Sequence, residues 1–219
     1  MHRLKTFLRR SPAVRILLGF ILAAAALALL DWLVMGPGRS LTASFDGSIR
    51  SSIRQMHSPL WSSLFLNTTK LGSTIYLAVI GSVAGLLLIG YRFYRIFGLF
   101  VVAMVGQSIL HNGAKFLVAR PRPAAMLNYP AIESFSFPSG HALSSLCVYA
   151  TLAWLATNRL ENPAIKAVIW IATLTIVFLI GISRVYIGIH YPTDVLAGWL
   201  AAAIWTAAVV SCDKGSVRG

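Results

Sequence analysis

Long runs of apolar residues, separated by short polar or glycine- and proline-containing breaks, dominate the chain. A helix needs roughly 20 mostly apolar residues to cross a bilayer, and about six segments approach that length: 14–35, 72–91, 95–115, 141–157, 164–182 and 194–212. The breaks contain residues that end helices, as in Gly36-Pro37-Gly38 and Tyr191-Pro192. The pattern predicts an all-α bundle of about six transmembrane helices that forms a single domain, residues 1–219.

The segment 41–66 follows a different pattern. Its apolar residues recur at helical spacing and its charged residues occupy another face, the first set being Phe45, Ile49, Ile53 and Met56 and the second Asp46, Arg50 and Arg54. Such a helix belongs at the membrane interface, where two arrangements are open: flat on the bilayer, or packed over the end of the bundle. We therefore expect an interfacial helix between the first two spans.

Composition supports a membrane protein. Of the residues, 57% are hydrophobic and only 11% are charged, and the mean hydropathy is +0.74, far from the values of an ordinary soluble domain. The formal net charge of +13 raises the possibility of a nucleic-acid partner. The basic residues, however, are scattered and cluster at the ends of apolar runs, so we expect lipid headgroups and no nucleic acid.

The lysines and arginines also predict an orientation. With the N-terminus in the cytoplasm, eleven of the 19 basic residues fall inside, namely Arg3, Lys5, Arg9, Arg10, Arg15, Arg92, Arg95, Arg159, Lys166, Lys214 and Arg218. The other eight fall outside, and five remain when three that carry candidate chemistry are set aside. Cytoplasmic loops carry an excess of lysine and arginine, so we expect both termini in the cytoplasm. The short loops indicate a bacterial inner-membrane protein.

Three fragments, far apart in the chain, combine charged residues or histidines with small or rigid residues. They are Lys115-x6-Arg122-Pro123, Pro138-Ser139-Gly140-His141 and Ser183-Arg184-x5-His190-x3-Asp194. The third span ends on the outer side at Lys115, and the fourth begins there with His141. The fifth returns outward to Arg184, and Asp194 begins the sixth. The order of spans therefore predicts that all three fragments meet on the outer, extracytoplasmic face.

These residue types suit phosphate chemistry. A phosphate ester resists attack because its anionic oxygens repel nucleophiles, so a site has to neutralise them. Lys115, Arg122 and Arg184 supply three positive charges, and the two guanidinium groups match pairs of phosphate oxygens. Ser139 and Gly140 stand at the start of a predicted helix, where free backbone N–H groups attract an anion, although capping alone also explains the serine.

The two motif histidines fit a phosphoryl transfer with a covalent intermediate, in which one attacks phosphorus and the other protonates the departing oxygen. Asp194 follows His190 by four residues, so its carboxylate can hold the imidazole of His190 and fix its tautomer. We expect His190 to be the nucleophile. His141, at a helix start without a carboxylate nearby in sequence, is then the general acid. His111 is expected to be a hydrogen-bonded packing residue.

With these residues laid out, the chain resembles the type 2 phosphatidic acid phosphatase superfamily, whose three motifs match in order and spacing across a core of 115–194. The resemblance implies that His190 forms a phosphohistidine supported by Asp194 and that His141 protonates the leaving group. It implies phosphate-holding roles for Lys115, Arg122, Ser139, Gly140 and Arg184. It also implies catalysis without a metal or other cofactor, on a lipid phosphate such as phosphatidate, phosphatidylglycerol phosphate or a polyprenyl diphosphate.

Three other classes of protein stay open. A metal-dependent membrane hydrolase would use His141, His190 and Asp194 as ligands, although three neighbouring cations oppose a divalent metal. An intramembrane serine protease would use Ser139, but no Gly-x-Ser-x-Gly elbow surrounds it. A non-enzymatic lipid or anion transporter would also place charges within the membrane. The sequence leaves the lipid, the preference for a monophosphate or a diphosphate, and the oligomeric state undecided.

Overall fold

The computed structural model describes residues 11–130 and 132–213. This part of the chain folds into eight α-helices and one short 3₁₀ turn, and it contains no strand. The helices are α1 (Pro12–Met35), α2 (Arg39–Gln55), α3 (Pro59–Thr68), α4 (Thr74–Gly90), α5 (Tyr94–Val118), α6 (Gly140–Thr157), α7 (Pro163–Ile187) and α8 (Pro192–Val210), with the 3₁₀ turn Thr69–Gly72 before α4. Six of the basic residues used to predict the orientation, Arg3, Lys5, Arg9, Arg10, Lys214 and Arg218, lie outside the described residues.

A helix covers each of the six predicted spans, which confirms the all-α bundle. Four helices are individually long and apolar enough to cross a bilayer, α1, α5, α7 and α8, and the pair formed by residues 59–72 and α4, bent by 47°, makes a fifth. The remaining helix, α6, has 18 residues and packs between α5, α7 and α8. Its serines and threonines face protein rather than lipid, so low apolarity is tolerated there and the count of six spans is approximate.

The centre of the bundle is α8, which packs on α1, α5 and α6. Small residues such as Ala197 and Ala201 are fully buried and let neighbouring helices approach closely. Trp205 is also buried, and its indole N–H donates to the carbonyl of Ala103 at 2.9 Å, so its polar atom is satisfied inside the apolar core. These contacts fix the middle and the second half of α8 relative to the rest of the bundle.

The junction of α7 and α8 is held by backbone geometry. Gly188 ends α7 with a positive φ of 91°, the left-handed conformation common at helix C-termini, and a Cβ there would lie 2.4 Å from the backbone nitrogen of Met126. At the start of α8 the side chain of Asp194 accepts the backbone N–H of Tyr191 at 2.8 Å. The two ends leave a short connection that holds His190 in a defined position.

The interfacial helix is α2, and it packs over the end of the bundle rather than lying free on the membrane. Ile49 and Ile53 pack against Val185 and Val195, at the adjoining ends of α7 and α8. Asp46, on the polar face of this helix, is only 1% exposed. Its burial is possible because a buried arginine on another segment pairs with this carboxylate, as described below.

Candidate active site

The structure brings the three fragments together around one cavity of about 1030 Å³. Lys115 comes from the last turn of α5, His141 from the first turn of α6 and Arg184 from the last turn of α7. Residues from all three fragments line the same end of the cavity, namely Lys115, Arg122, Gly140, His141, Arg184 and His190. Two imidazoles and three cations therefore share one polar pocket at the end of the bundle that α2 covers.

The His190 imidazole has two different neighbours. Its Nε2 lies 3.0 Å from Nη1 of Arg122, and because a guanidinium only donates, Nε2 is the acceptor and carries no proton. Its Nδ1 therefore carries the proton and lies 3.4 Å from Oδ2 of Asp194. At this distance the two groups are in electrostatic contact, although the geometry is not that of a hydrogen bond. Burial lowers the pKa of His190 to about 4, although Asp194 acts in the opposite direction.

The Asp194 carboxylate sits behind His190, fully buried, and three donors fix it. Nη1 of Arg120 donates to Oδ1 at 2.6 Å, while the hydroxyl of Ser136 and the backbone N–H of Tyr191 donate to Oδ2. Several hydrogen bonds to an ionised carboxylate hold it in one orientation. Asp194 can thus orient the His190 ring but does not line the cavity.

The Arg122 guanidinium is held by backbone carbonyls beside the imidazole. Its Nε donates to the carbonyl of Ser134 at 2.7 Å and its Nη1 to the carbonyl of Ile189 at 2.8 Å. Lys115 reaches the same loop, because its Nζ donates to Oγ of Ser134 at 3.1 Å. Arg122 also places a positive charge beside the imidazole of His190, and this charge opposes a divalent metal at the same position.

Arg184 approaches the cavity from the side of the 3₁₀ turn. It is only 3% exposed, and its Nη1 donates to Oγ1 of Thr69 at 2.7 Å. The guanidinium carbon also lies 5.8 Å from the centre of the Tyr129 ring. Its Nε has no hydrogen-bond partner among the described residues. A buried cation with a spare donor is suited to binding an anionic oxygen in the cavity.

The start of α6 differs in part from the expectation. Ser139 is fully buried and its hydroxyl accepts the backbone N–H of Ala142 at 3.5 Å, so it caps the helix and does not line the described cavity. Gly140 does line it, and a Cβ at this position would lie 2.6 Å from Nε2 of His111. The glycine therefore makes room for an imidazole as well as bringing the backbone close to the cavity.

Sequence reasoning missed several residues of this site. His111 lines the cavity, and its Nε2 has no partner in the part of the chain that the structure describes, so it is not the hydrogen-bonded packing residue we expected. Two other missed residues have a recognisable pattern in the sequence. Arg120 belongs to a repeated Arg-Pro pair directly before Arg122, and Asp46 is the lone acidic residue of segment 41–66. Ser136 carries no comparable signal in the sequence.

Away from the polar pocket the cavity continues as a groove between α4 and α5. Its lining there is apolar, and includes Leu77, Gly81, Leu86, Ile89, Phe97 and Phe100. Ile89 is one residue from the far end of α4, so the groove follows the helices over most of their length. We call this apolar part of the cavity the α4–α5 groove.

Known proteins are similar to this chain in both sequence and fold. The family model described as the PAP2 superfamily matches residues 96–218. Phosphatidylglycerophosphatase B of Bacillus subtilis (strain 168) is 32% identical over 162 residues, which are 71% of this chain and 77% of the relative. An undecaprenyl-diphosphatase of Sulfolobus acidocaldarius is 36% identical over 123 residues, 54% of this chain and 55% of that protein.

Two solved structures have the same architecture. The crystal structure of a transmembrane PAP2-type phosphatidylglycerolphosphate phosphatase from Bacillus subtilis gives a TM-score of 0.71 at 27% identity, covering 94% of this chain and 98% of that one. Aquifex aeolicus LpxE gives a TM-score of 0.55 at 25% identity, covering 75% and 92%. The family match over more than half of the chain, with these phosphatases as relatives, shows that the chain belongs to the PAP2 superfamily, in its integral-membrane phosphatase branch.

Proposed function

We propose that the chain hydrolyses the phosphomonoester or diphosphate of a membrane lipid, through a phosphohistidine on His190 and without a metal. The observation that carries the proposal is the shape and lining of the cavity. One end combines three cations and three imidazoles, those of His111, His141 and His190, and the other continues into the apolar α4–α5 groove. A lipid phosphate has the same division, with an anionic headgroup joined to a hydrocarbon chain.

In the first step Nε2 of His190 attacks phosphorus. Its lone pair becomes available when the nearby Arg122 donor turns from the imidazole to a phosphate oxygen. The N–P bond forms, the bond from phosphorus to the lipid oxygen breaks, and His141 gives its proton to that departing oxygen. The positive charge that develops on the His190 ring faces Asp194, while Lys115 and Arg184 offset the charge on the phosphoryl oxygens.

In the second step water releases the phosphate. His141, now neutral, takes a proton from the water as its oxygen attacks phosphorus. The N–P bond breaks, its electron pair returns to Nε2 of His190, and inorganic phosphate leaves. The proton balance closes, because His141 ends the cycle protonated as it began.

For the location we propose the extracytoplasmic side of a bacterial inner membrane, with both termini in the cytoplasm. The positive-inside pattern of the sequence supports this orientation. For the substrate, the relatives support phosphatidylglycerol phosphate and a polyprenyl diphosphate, in line with the names of a phosphatidylglycerophosphatase and an undecaprenyl-diphosphatase. Phosphatidate is the third substrate to compare.

The experiment measures phosphate release by the detergent-solubilised protein on these three lipids, in the presence of a chelator. A lipid labelled in its terminal phosphate, quenched at alkaline pH, should leave label on the protein. His190→Ala should lose both signals. His57→Ala is the matched control, because His57 Nε2 contacts the carbonyl of Tyr186 outside the described cavity lining and should retain both.

Three results would contradict the proposal. Label that persists on His190→Ala would exclude this nucleophile. Activity that a chelator abolishes and added metal restores would favour the metal-dependent hydrolase. A folded protein without phosphate release on any of the lipids would favour a transporter.

A further inference from the structure

A buried charge cluster lies behind His190, on the side away from the cavity. It contains Asp46, Arg120, Thr193 and Asp194, which are between 0% and 8% exposed. Arg120 bridges the two carboxylates: its Nη1 lies 2.6 Å from Oδ1 of Asp194 and its Nη2 lies 2.9 Å from Oδ2 of Asp46. None of the four lines the described cavity, so none is placed to touch substrate.

Hydrogen bonds hold the cluster in one arrangement. The Thr193 backbone N–H and hydroxyl donate to the two oxygens of Asp46 at 2.9 and 2.8 Å, and the same hydroxyl accepts from Nη1 of Arg120 at 2.8 Å. The Arg120 guanidinium also stacks 3.9 Å from the centre of the Tyr191 ring. These hydrogen bonds are needed because removing one partner of a buried ion pair leaves an uncompensated charge, which is strongly destabilising.

The charges of this cluster do not cancel. Asp46, Arg120 and Asp194 together carry a net charge of −1, and Arg50 also acts electrostatically on both carboxylates but forms no direct ion pair with either. If Asp46 were absent, Arg120 would neutralise Asp194 entirely. Because Asp46 also pairs with Arg120, the arginine offsets the charge of Asp194 only in part. The electrostatic potential at His190 is therefore more negative than it would be without Asp46, and the low-dielectric interior strengthens this effect.

The negative potential at His190 acts on the proposed reaction when the phosphohistidine forms. When Nε2 bonds to phosphorus while Nδ1 keeps its proton, the His190 ring becomes positively charged, 3.4 Å from Oδ2 of Asp194 in the present geometry. A preorganised negative charge at that place lowers the energy of the transition state. The charge arises when the intermediate forms and persists until the N–P bond breaks, so the effect is measured directly as the single-turnover rate of phosphoenzyme formation rather than as steady-state kcat.

We infer that Asp46 of α2 and Arg120 are positioning residues that set the charge of the Asp194–His190 pair, an inference that rests on the proposed phosphohistidine mechanism. It gives the interfacial helix a role in the reaction. Arg50 reinforces this role, because its guanidinium donates to the carbonyls of Gly188 and Ala124, next to the segments that carry His190 and Arg122. α2 thus holds the site from behind through charge and backbone contacts.

The test compares three variants of the full-length protein by the rate of phosphoenzyme formation in a single turnover. Asp46→Asn removes one negative charge and should slow this step at least tenfold, with no change in the lipid concentration that gives the half-maximal rate. Asp46→Asn combined with Arg120→Gln restores the net charge of −1 and should recover to within about threefold of the wild type. Thr193→Val breaks hydrogen bonds of the same cluster without changing its charge, and should lose no more than about threefold.

The thermal midpoint of each variant reports folding separately. If Asp46→Asn does not fold, the double variant still decides, and a folded double variant slower than the wild type by more than 100-fold overturns the inference. A Thr193→Val variant as slow as Asp46→Asn would also overturn it, by showing that hydrogen bonds rather than charge matter. Wild-type protein without a phosphoenzyme would instead refute the proposed function itself.

Discussion

Replacing Arg122 by lysine separates charge from hydrogen-bond geometry at the site. The guanidinium uses three nitrogens, which donate to the carbonyl and hydroxyl of Ser134, to the carbonyl of Ile189 and toward Nε2 of His190. A lysine keeps the positive charge but offers one nitrogen, so it cannot hold the loop and a phosphate oxygen together. The variant therefore loses the several parallel N–H donors of the guanidinium, while the long-range attraction for phosphate remains.

The expected loss of kcat/KM in Arg122→Lys follows from those contacts. Losing one charge-assisted hydrogen bond to the phosphoryl group costs about 2 kcal/mol, and losing the bonds that orient the group adds about 1 kcal/mol. Together these reduce kcat/KM about 100-fold, since each 1.4 kcal/mol is roughly a factor of ten. The assay is phosphate release from a short-chain lipid phosphate in detergent.

The matched control is Arg54→Lys, an exposed arginine on α2 outside the described cavity lining, which should stay within about twofold of the wild type. An Arg122→Lys variant within threefold of the wild type would refute the reasoning, because it would show that a point charge suffices at this position.

Two further predictions concern the segment that carries His190. Gly188→Ala places a Cβ 2.4 Å from the nitrogen of Met126 at a φ of 91°, so it should destabilise the fold by about 1–2 kcal/mol and slow phosphate release. Gly90→Ala is the control, because the space around Gly90 is open, and it should do neither. Equal thermal midpoints for the two variants would contradict this prediction. Because burial lowers the pKa of His190 to about 4, its imidazole stays neutral at pH values where a free histidine is protonated. Phosphoenzyme formation in rapid-quench experiments should therefore persist at pH 5.5 and fall only toward pH 4. The unfolded chain takes up that proton near its ordinary pKa, so stability should decrease as the pH falls from about 6.5 toward 4, and a decline in rate centred near pH 6.5 would contradict the assignment.

The spans and the approach of the three fragments could be predicted because both follow from short-range patterns. Apolar length locates the helices, and the alternating direction of successive spans then places Lys115, His141 and Arg184 at one end of the bundle. Neither step needs knowledge of side-chain contacts. The same reasoning could not decide that α6 is an interior helix beside α8, since its serines and threonines weaken the apolar signal that identifies a span.

The cluster behind His190 could not be predicted in this way. Arg120 and Asp46 are 74 residues apart, and their pairing depends on the rotation of α2 over the ends of α7 and α8. Helical spacing placed Asp46 on a polar face, but it could not distinguish a face toward water from one toward a buried arginine. His111 shows the same limit, because only the packing of α5 against α6 brings its Nε2 next to Gly140.

The distribution of charge around the cavity explains how such a site can work among ordinary phospholipids. Its described lining contains the cations Lys115, Arg122 and Arg184 but no carboxylate, because Asp194 lies behind His190. Like charges in a low-dielectric cavity repel one another, and a bound anion offsets this repulsion in proportion to its charge. A phosphodiester headgroup offers one negative charge on phosphorus, whereas a terminal phosphate offers close to two. The arrangement therefore favours terminal phosphates over the diesters of the surrounding bilayer before any contact with the lipid chain is made.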